Sequence, residues 1–161
     1  MTRLATGKND RKQEILTPQC IIDVCLKVWD RIALDPCSAP ASIVRAGVRT
    51  YEAGDGLSHP WVPKTFINCP YKDLRTWLEY GDKQPSEQIW LVPVRTHRKW
   101  WRGWRDSLDA YCELNPLKFI GYDSYFPAPL LLGYRGCYID KFATASHALG
   151  SVYDYKCLHR I

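Results

Sequence analysis

Thr65-Phe66-Ile67-Asn68-Cys69-Pro70-Tyr71 is the stretch of sequence that decides the fold of this chain. Its first three residues predict a short strand, and from Leu74 onward apolar residues recur at the spacing of a helix. The tetrapeptide from Asn68 to Tyr71 therefore lies at the carboxyl end of a predicted strand, where open α/β sheets bind their ligands. Its amide, backbone carbonyl, rigid proline and aromatic ring together suit a planar ring that carries an amine.

Predicted strands and helices alternate along most of the chain. The strands are expected at about residues 32–34, 48–51, 64–67, 88–92, 117–122 and 130–133. Helices are expected from Thr17-Pro18, over residues 41–47, from Leu74 to a stop at Gly81, and from a Thr96 cap to about Leu108. Glycines mark a turn at residues 52–56. This alternation predicts an α/β fold in which a sheet is flanked by helices.

Length and composition indicate one domain. The 161 residues suffice for a single buried core, which we expect over residues 15–161, with residues 1–14 as a flexible polar tail. No apolar run approaches the roughly 20 residues of a membrane span, and the tail lacks the apolar centre of a secretory signal. We therefore expect a cytoplasmic protein with no membrane partner.

The seven cysteines predict reduced thiols rather than a disulfide framework. Their number is odd, they form no Cys-x-x-Cys pair, and no secretory signal precedes them. Cys157 and His159 could contribute to a metal site, but no second pair of ligands has zinc-like spacing. We accordingly predict no metal.

A basic segment rich in tryptophan follows the predicted strand at residues 88–92, in a chain whose net charge is +5. The segment contains Arg95, His97, Arg98, Lys99, Trp100, Trp101, Arg102, Trp104 and Arg105. Cations interleaved with aromatic rings suit an anionic partner whose bases can stack, such as nucleic acid. The same pattern is typical of an amphipathic helix with tryptophans in the core and arginines in solvent. The segment alone favours neither interpretation.

Three ordered elements carry a resemblance to a known family. Thr17-Pro18 opens a helix, Leu34-Asp35-Pro36 ends the next strand, and Asn68-Cys69-Pro70-Tyr71 ends a later one. Supporting motifs are Cys37-Ser38 after Pro36, Asp55-Gly56-Leu57 followed by Trp61, Leu91-Val92-Pro93 with Arg95-Thr96 and Trp100, and Phe126-Pro127. Over about residues 16–134 the chain resembles the S-adenosylmethionine-dependent amino-methyltransferases, and more narrowly the small phage-type DNA N-6-adenine methyltransferases. The resemblance implies an abbreviated Rossmann-like sheet and, for a phage-encoded chain, the host cytoplasm.

The resemblance implies S-adenosylmethionine as the methyl donor and suggests residues that bind it. Thr17 would bind the methionine carboxylate at the helix start, and Asp35 would face the methionine ammonium group. Asp55 is the best candidate for a polar contact with the adenosine of the cofactor. The remaining cofactor-binding candidates are Pro18, Pro36, Cys37, Phe66 and Asn68, with Trp61 as a further candidate wall for the adenine ring.

The resemblance also implies how the acceptor is held. The Asn68 side-chain oxygen and the Cys69 backbone carbonyl would accept hydrogen bonds from the exocyclic amine of adenine, in a loop stiffened by Pro70. Tyr71 would stack on the base, which has to leave the DNA duplex to be reached. In-line methyl transfer mainly needs such near-attack positioning. The residues expected to contact the DNA backbone are Arg95, Arg98, Lys99, Arg102 and Arg105.

The chain departs from the family pattern at two places. Cys69 replaces the first proline of the usual Asn-Pro-Pro-Tyr element, which preserves the backbone carbonyl but removes a fixed φ. Asp35-Pro36 is followed by small side chains instead of Gly-x-Gly, and only 32 residues separate Asp35 from Asn68. One strand–helix unit of the usual fold is therefore expected to be missing or vestigial. Glu52 is the remaining candidate for the acid that holds the cofactor ribose.

Two other functions stay open on the sequence. The chain could be a nucleic-acid-binding relative that has lost turnover through the change at Cys69. It could also be a methyltransferase whose acceptor is RNA or a protein amide, because the acceptor contacts suit any planar nitrogen. A chain of this length leaves little room for a separate recognition domain, so we expect slight sequence selectivity.

Overall fold

The computed structural model describes residues 15–51 and 53–154. Its strands are β1 (Ile32–Asp35), β2 (Ala46–Arg49), β3 (Thr65–Ile67), β4 (Gln88–Pro93), β5 (Ala110–Leu114), β6 (Leu130–Arg135) and β7 (Gly150–Asp154). Its helices are α1 (Gln19–Trp29), α2 (Ala53–Gly56), α3 (Leu74–Asp82), α4 (Lys99–Asp106) and α5 (Ile139–Ser146). Short 3-10 turns at Tyr71–Asp73 and His147–Leu149 precede α3 and follow α5. The predicted tail at residues 1–14, Glu52, Cys157 and His159 lie outside the described residues.

The seven-stranded sheet has a parallel half and an antiparallel half, in the order β2-β1-β3-β4-β6-β5-β7. β2, β1, β3 and β4 are parallel, whereas β6, β5 and β7 each run antiparallel to the strand before them in that order. The protein is thus an α/β protein with a mixed sheet flanked by helices, as the alternation predicted. From β1 the chain crosses to β2 on one side and returns to β3 on the other. This reversal makes a topological switch point between β1 and β3.

Helices cover both faces of the sheet and bury two separate cores. Successive side chains of β4 point to opposite faces, so Ile89 and Leu91 enter one core while Trp90 and Val92 enter the other. The first core lies under α1 and α5 and includes Ile21, Val28, Phe66, Ile139 and Phe142. The second lies under α3 and α4 and is dominated by the indole rings of Trp61, Trp77, Trp90, Trp101 and Trp104.

Several predicted elements are wrong, and each of them is short. Residues 41–47 form no helix, because the chain turns at residues 40–41 and Ala46–Arg49 then pairs with β1 as an edge strand. Residues 117–122 form no regular strand, and Ile120 makes only a single bridge to Leu16. The strand of that region is β5, which the sequence did not suggest, and α5 and β7 were also missed. Pairing partners, rather than local propensity, decide such segments.

Helix ends differ from the prediction by one to three residues. Thr96 does not cap α4, because the turn that Arg98 closes onto the Arg95 carbonyl delays the helix to Lys99. α4 then ends at Asp106 rather than at Leu108, and the glycines of residues 52–56 lie in the one-turn helix α2. Strands predicted at residues 32–34, 64–67, 88–92 and 130–133 are confirmed to within two residues.

Glu87, just before β4, is hydrogen-bonded to α1, to β6 and to the segment between β6 and α5. Its carboxylate accepts hydrogen bonds from Trp29 Nε1 at 2.8 Å, the Tyr134 hydroxyl at 2.9 Å and the Cys137 amide at 2.8 Å. Burial alone would raise the pKa of Glu87, but these hydrogen bonds outweigh it and lower the pKa below its usual value. Gly136 leaves room for the carboxylate, since a Cβ there would overlap the Glu87 oxygens.

Glu87→Ala is expected to lower the free energy of unfolding by about 3 kcal/mol, because the buried donors of Trp29 and Tyr134 lose their acceptor and each orphaned buried donor costs roughly 1–3 kcal/mol. Urea unfolding followed by circular dichroism measures the change. Because the folded pKa is lowered, the stabilisation is complete above the unfolded pKa of about 4.3 and is lost as the pH falls through the folded pKa. Glu79→Ala is the matched control, since Glu79 is exposed on α3. If Glu87→Ala lowered the free energy of unfolding no more than Glu79→Ala does, the hydrogen bonds to Glu87 would not stabilise the fold.

Candidate active site

The predicted site residues meet at the carboxyl ends of β1 and β3. Asp35 is the last residue of β1, and Asn68 follows the last residue of β3. Thr17 lies just before α1 and is hydrogen-bonded to Asn68 across a sequence separation of 51 residues. The three ordered motifs therefore form one cluster at the switch point, where an open sheet leaves a crevice for ligands.

The Asn68 side chain is held in one orientation. Its Nδ2 donates to the Ile15 carbonyl at 3.1 Å and to the Thr17 hydroxyl at 3.0 Å, while its Oδ1 accepts from the Tyr71 hydroxyl at 3.1 Å. The Ile15 carbonyl can only accept, so it has to face the amide nitrogen, and this turns the amide oxygen toward Tyr71. An amide oxygen has two lone pairs, so Oδ1 keeps one for a further donor.

Thr17 is buried, and its hydroxyl serves the site rather than the helix. The prediction of Thr17 as the cap and Pro18 as the first helical residue is wrong by one position, since Pro18 is the N-cap and α1 begins at Gln19. The N-cap proline has no polar side chain with which to cap the helix, and the Thr17 hydroxyl is engaged by Asn68 from a distant element. That hydroxyl accepts from Asn68 and so keeps its own hydrogen for another acceptor.

Tyr71 presents a neutral phenol beside the Asn68 amide. Its ring meets the Phe126 ring edge-on, with centroids 5.7 Å apart and an interplanar angle of 85°. Burial raises the pKa of Tyr71 well above its usual value, the nearby Cys69 and Cys37 thiols act in the same direction, and Arg95 opposes them. The phenol therefore stays protonated and able to donate throughout the physiological pH range.

Asp35 is a carboxylate buried at the site, with 4% of its surface exposed. Burial raises the pKa of Asp35 to about 6, although the Cys37 amide, which donates to Oδ1 at 3.2 Å, and the charge of Arg49 act in the opposite direction. Among the described residues, no cation forms an ion pair with Asp35. The ionised form of this group would be stabilised by a cationic ligand.

The Asp55-Gly56 turn packs against the end of β1. Gly56 approaches Pro36 so closely that a Cβ would overlap the Pro36 carbonyl, and only glycine permits this approach. The Gly56 carbonyl also accepts a hydrogen bond from Trp61 Nε1 at 2.8 Å. The packing brings Asp55, which is exposed, to the same edge of the sheet as the end of β1.

Other predicted site residues are buried in the cores. Phe66 is 1% exposed in the first core and Trp61 is 3% exposed in the second, so neither forms an open wall. Cys69 is 3% exposed and packs in the second core. Burial also raises the pKa of the Cys69 and Cys37 thiols, which form no disulfide.

The structure separates the predicted basic residues into two groups. Arg95 and Arg98 line a pocket of about 220 Å³ together with Tyr71 and Trp100. The other group, along α4, consists of Lys99, Arg102 and Arg105. Only the first group is therefore contiguous with the Asn68 cluster.

The tryptophans of the basic segment are divided in the same way. Trp101 and Trp104 are 1% and 4% exposed and belong to the second core, as the amphipathic-helix interpretation required. Trp100 is only partly buried and lines the pocket with Tyr71. The amphipathic-helix interpretation therefore holds for Trp101 and Trp104, whereas Trp100 packs at the margin of the second core.

Three residues near the site were missed from the sequence. Lys72 and Arg75 line the same pocket as Tyr71, and their position one to four residues after it was the available signal. The positive charge of Arg49, at the end of β2, lowers the pKa of Asp35 and so partly offsets the effect of burial. Arg49 belongs to the strand predicted at residues 48–51, which the structure places two residues earlier, and only the pairing of β2 with β1 sets it opposite Asp35.

Fold and site together define an α/β protein with a polar cluster at the switch point of a mixed sheet. No protein-family model matches the chain, and no curated protein or solved structure is significantly similar to it. Over residues 15–51 and 53–154, no helix is both long enough and apolar enough to span a membrane. The same residues contain no group of three or more His, Cys, Asp or Glu side chains that could hold a metal ion.

Proposed function

We propose that the protein transfers a methyl group from S-adenosylmethionine to the exocyclic amine of adenine in DNA. The observation that carries the proposal is the position of the Asn68 amide. It is held by hydrogen bonds to Thr17 and Tyr71 at the carboxyl ends of β1 and β3, where the buried Asp35 also lies. Its location at the carboxyl ends of parallel strands supports the same conclusion. Among the described residues of the connection from β2 to β3, the four-residue α2 is the single helix, in keeping with an abbreviated methyltransferase sheet.

The residues present fit the methionine end of the cofactor. Asp35 is a buried carboxylate with no described ion-pair partner, which suits an ammonium group. The Thr17 hydroxyl retains a hydrogen for a carboxylate, and the first amides of α1 add favourable donors beside it. S-adenosylmethionine, when bound, supplies an electrophilic methyl group on a positively charged sulfur.

Asn68 and Cys69 would orient the acceptor amine. The remaining lone pair of Asn68 Oδ1 and the Cys69 carbonyl can each accept one N–H of the amino group. Holding both N–H bonds draws the nitrogen lone pair out of conjugation with the ring and directs it at the methyl group. In the transfer, a nitrogen–carbon bond would form as the sulfur–carbon bond breaks, and one amine proton would leave to solvent. Tyr71 provides a ring on which the flipped base can stack.

Mass spectrometry of nucleosides tests this function. Unmethylated DNA is incubated with the protein and S-adenosylmethionine and then digested, and N6-methyladenine is the expected product. RNA and a glutamine-containing peptide are treated in parallel, because the Asn68 contacts suit any planar nitrogen. A methylated product in only one of those two reactions would assign a different acceptor. Cofactor binding with no product in any reaction would instead identify a relative that has lost turnover.

Two substitutions at Tyr71 are expected to separate the effect of its ring from that of its hydroxyl. Tyr71→Phe loses the hydrogen bond to Asn68 but keeps the ring, so kcat/KM should fall only about 2- to 10-fold. Tyr71→Ala also loses base stacking, which is expected to add a further reduction of about 5- to 150-fold. Steady-state methylation kinetics measure both, with Tyr153→Ala on the edge strand β7 as the control. Equal losses in the Phe and Ala variants would rule out stacking by Tyr71.

A further inference from the structure

A small pocket lies directly beside Tyr71. Its walls come from the 3-10 turn at Tyr71–Asp73, the start of α3 and the segment between β4 and α4. Its volume of about 220 Å³ is below the roughly 300–1,000 Å³ of a typical small-molecule site. The pocket therefore suits one unit of a polymer better than a complete ligand.

The lining of this pocket is strongly cationic. Lys72, Arg75, Arg95 and Arg98 each contribute a positive charge, and none of the residues that line the pocket is acidic. Within the described part of the chain, Arg75 is the member of this set that forms an ion pair, with Glu79 at 2.7 Å on the exposed surface of α3. Clustered cations of this kind attract phosphate groups.

Trp100 adds a flat apolar wall to the same pocket. It is partly exposed, unlike its neighbours Trp101 and Trp104 in the core. An indole ring beside phosphate-binding cations is the combination that stacks an unpaired base.

A second cleft adjoins the pocket but differs from it in charge. It occupies about 590 Å³ between α3 and α4 and shares Arg75 and Trp100 with the pocket. Its lining includes the acids Glu79, Asp82 and Asp109. Two of these acids form ion pairs with arginines of the same cleft, Glu79 with Arg75 and Asp82 with Arg135, so the cleft has no excess of positive charge. Phosphate is therefore attracted to the smaller, cationic pocket, which has room for about one nucleotide.

We propose that the pocket binds the nucleotide next to the acceptor base in single-stranded DNA, with its base on Trp100 and its phosphates between Arg95 and Arg98. The inference rests on the proposed function for the identity of the base at Tyr71. In a duplex each base is already stacked and paired, so a duplex offers its phosphates to the pocket but no base to Trp100. Single strands are therefore bound more tightly than duplexes.

Fluorescence anisotropy with an oligothymidylate strand, in the absence of S-adenosylmethionine, tests the pocket apart from methyl transfer. The strand contains no adenine, so this assay is independent of methyl transfer. Binding of the strand can be lost while adenine in DNA is still methylated, and binding can persist when no methylation occurs. Trp100→Ala is expected to weaken binding of the single strand at least about fivefold and to change binding of a matched duplex less than about twofold. Arg98→Gln should weaken both and reduce the single-strand salt slope by roughly 0.7.

Two control variants and one conservative variant sharpen the result. Gly103→Gln places a side chain in the open space of the adjoining cleft, at a helix position where glycine is unfavourable. Arg31→Gln removes an exposed positive charge before β1. Neither substitution should change the binding of the single strand. Trp100→Phe keeps a smaller ring and should give an intermediate loss if Trp100→Ala fails to fold. Unchanged single-strand binding in folded Trp100→Ala would overturn the nucleotide pocket. Tighter binding of an oligouridylate strand would overturn its assignment to DNA.

Discussion

Asn68→Ala is expected to lower the rate of methyl transfer at least about 100-fold, the scale of loss when a reacting group is misplaced by about 1 Å. The substitution removes the oxygen that would accept from the adenine amine. It also releases Thr17 and Tyr71, since both are bonded to this one amide. Single-turnover incorporation of labelled methyl groups into DNA measures the effect on chemistry separately from product release.

Asn115→Ala is the matched control for this experiment. Asn115 is exposed beyond β5, and the hydrogen bond that it makes to the Leu149 carbonyl comes from its backbone, so alanine preserves it. Thermal unfolding of both variants shows whether the fold is intact. Full activity in a folded Asn68→Ala protein would contradict the assignment of the acceptor site.

Asp35→Asn is expected to stabilise the free protein and to weaken cofactor binding, two effects of opposite sign. Burial raises the pKa of Asp35 from 3.8 to about 6, and each pKa unit corresponds to about 1.36 kcal/mol. The ionised carboxylate therefore costs about 3 kcal/mol of folding free energy at neutral pH, and asparagine removes that cost. The same change should raise the dissociation constant for S-adenosylmethionine at least about 30-fold, because a bound ammonium loses its buried partner.

The stability of the free protein should depend on pH through Asp35 in the acidic range. Because the folded pKa is raised, the folded state binds the proton more tightly than the unfolded state does. The contribution of Asp35 to stability is therefore most favourable below pH 3.8 and declines until the pH passes about 6. Cofactor affinity should follow the opposite course, falling by up to about tenfold per pH unit below pH 6 as the carboxylate is protonated.

Calorimetric titrations with S-adenosylmethionine and urea unfolding, each carried out between about pH 4 and pH 8, measure the two effects of Asp35. Asp30→Asn is the control, because Asp30 is an exposed carboxylate at the end of α1, in a left-handed conformation that asparagine also accepts. Equal changes in Asp30→Asn and Asp35→Asn would contradict the special environment of Asp35. If Asp35→Asn bound S-adenosylmethionine as tightly as the unaltered protein does, Asp35 would not be part of the cofactor site.

The strand ends that hold the candidate site could be predicted because their signals are local. Leu34-Asp35-Pro36 and Ile67-Asn68 each follow a short apolar run that a proline or a polar residue ends, and the structure ends β1 and β3 there. Gly81 and the spacing of Leu74 and Trp77 similarly located α3. Propensity, periodicity and proline chemistry act over a few residues, so one sequence contains them.

The antiparallel half of the sheet could not be predicted because its pairing is not local. Residues 117–122 have the composition of a strand, yet Phe119 is buried there without a strand partner. The strand is instead Ala110–Leu114, which gains β6 on one side and β7 on the other. Both partners come later in the chain, so the choice between the two segments depends on contacts that local patterns do not contain.

The sequence by itself determined which groups are available for chemistry and that they follow strands or open a helix: the Asn68 amide, the Asp35 carboxylate, the Thr17 hydroxyl and the Tyr71 ring. Only the tertiary structure decided that Thr17 contacts Asn68 and that Asp35 is buried with a raised pKa. It also divided the basic segment, with Arg95 and Arg98 beside Tyr71. Burial, hydrogen-bond geometry and electrostatic environment arise between elements far apart in the chain, and so they exist only after the chain has folded.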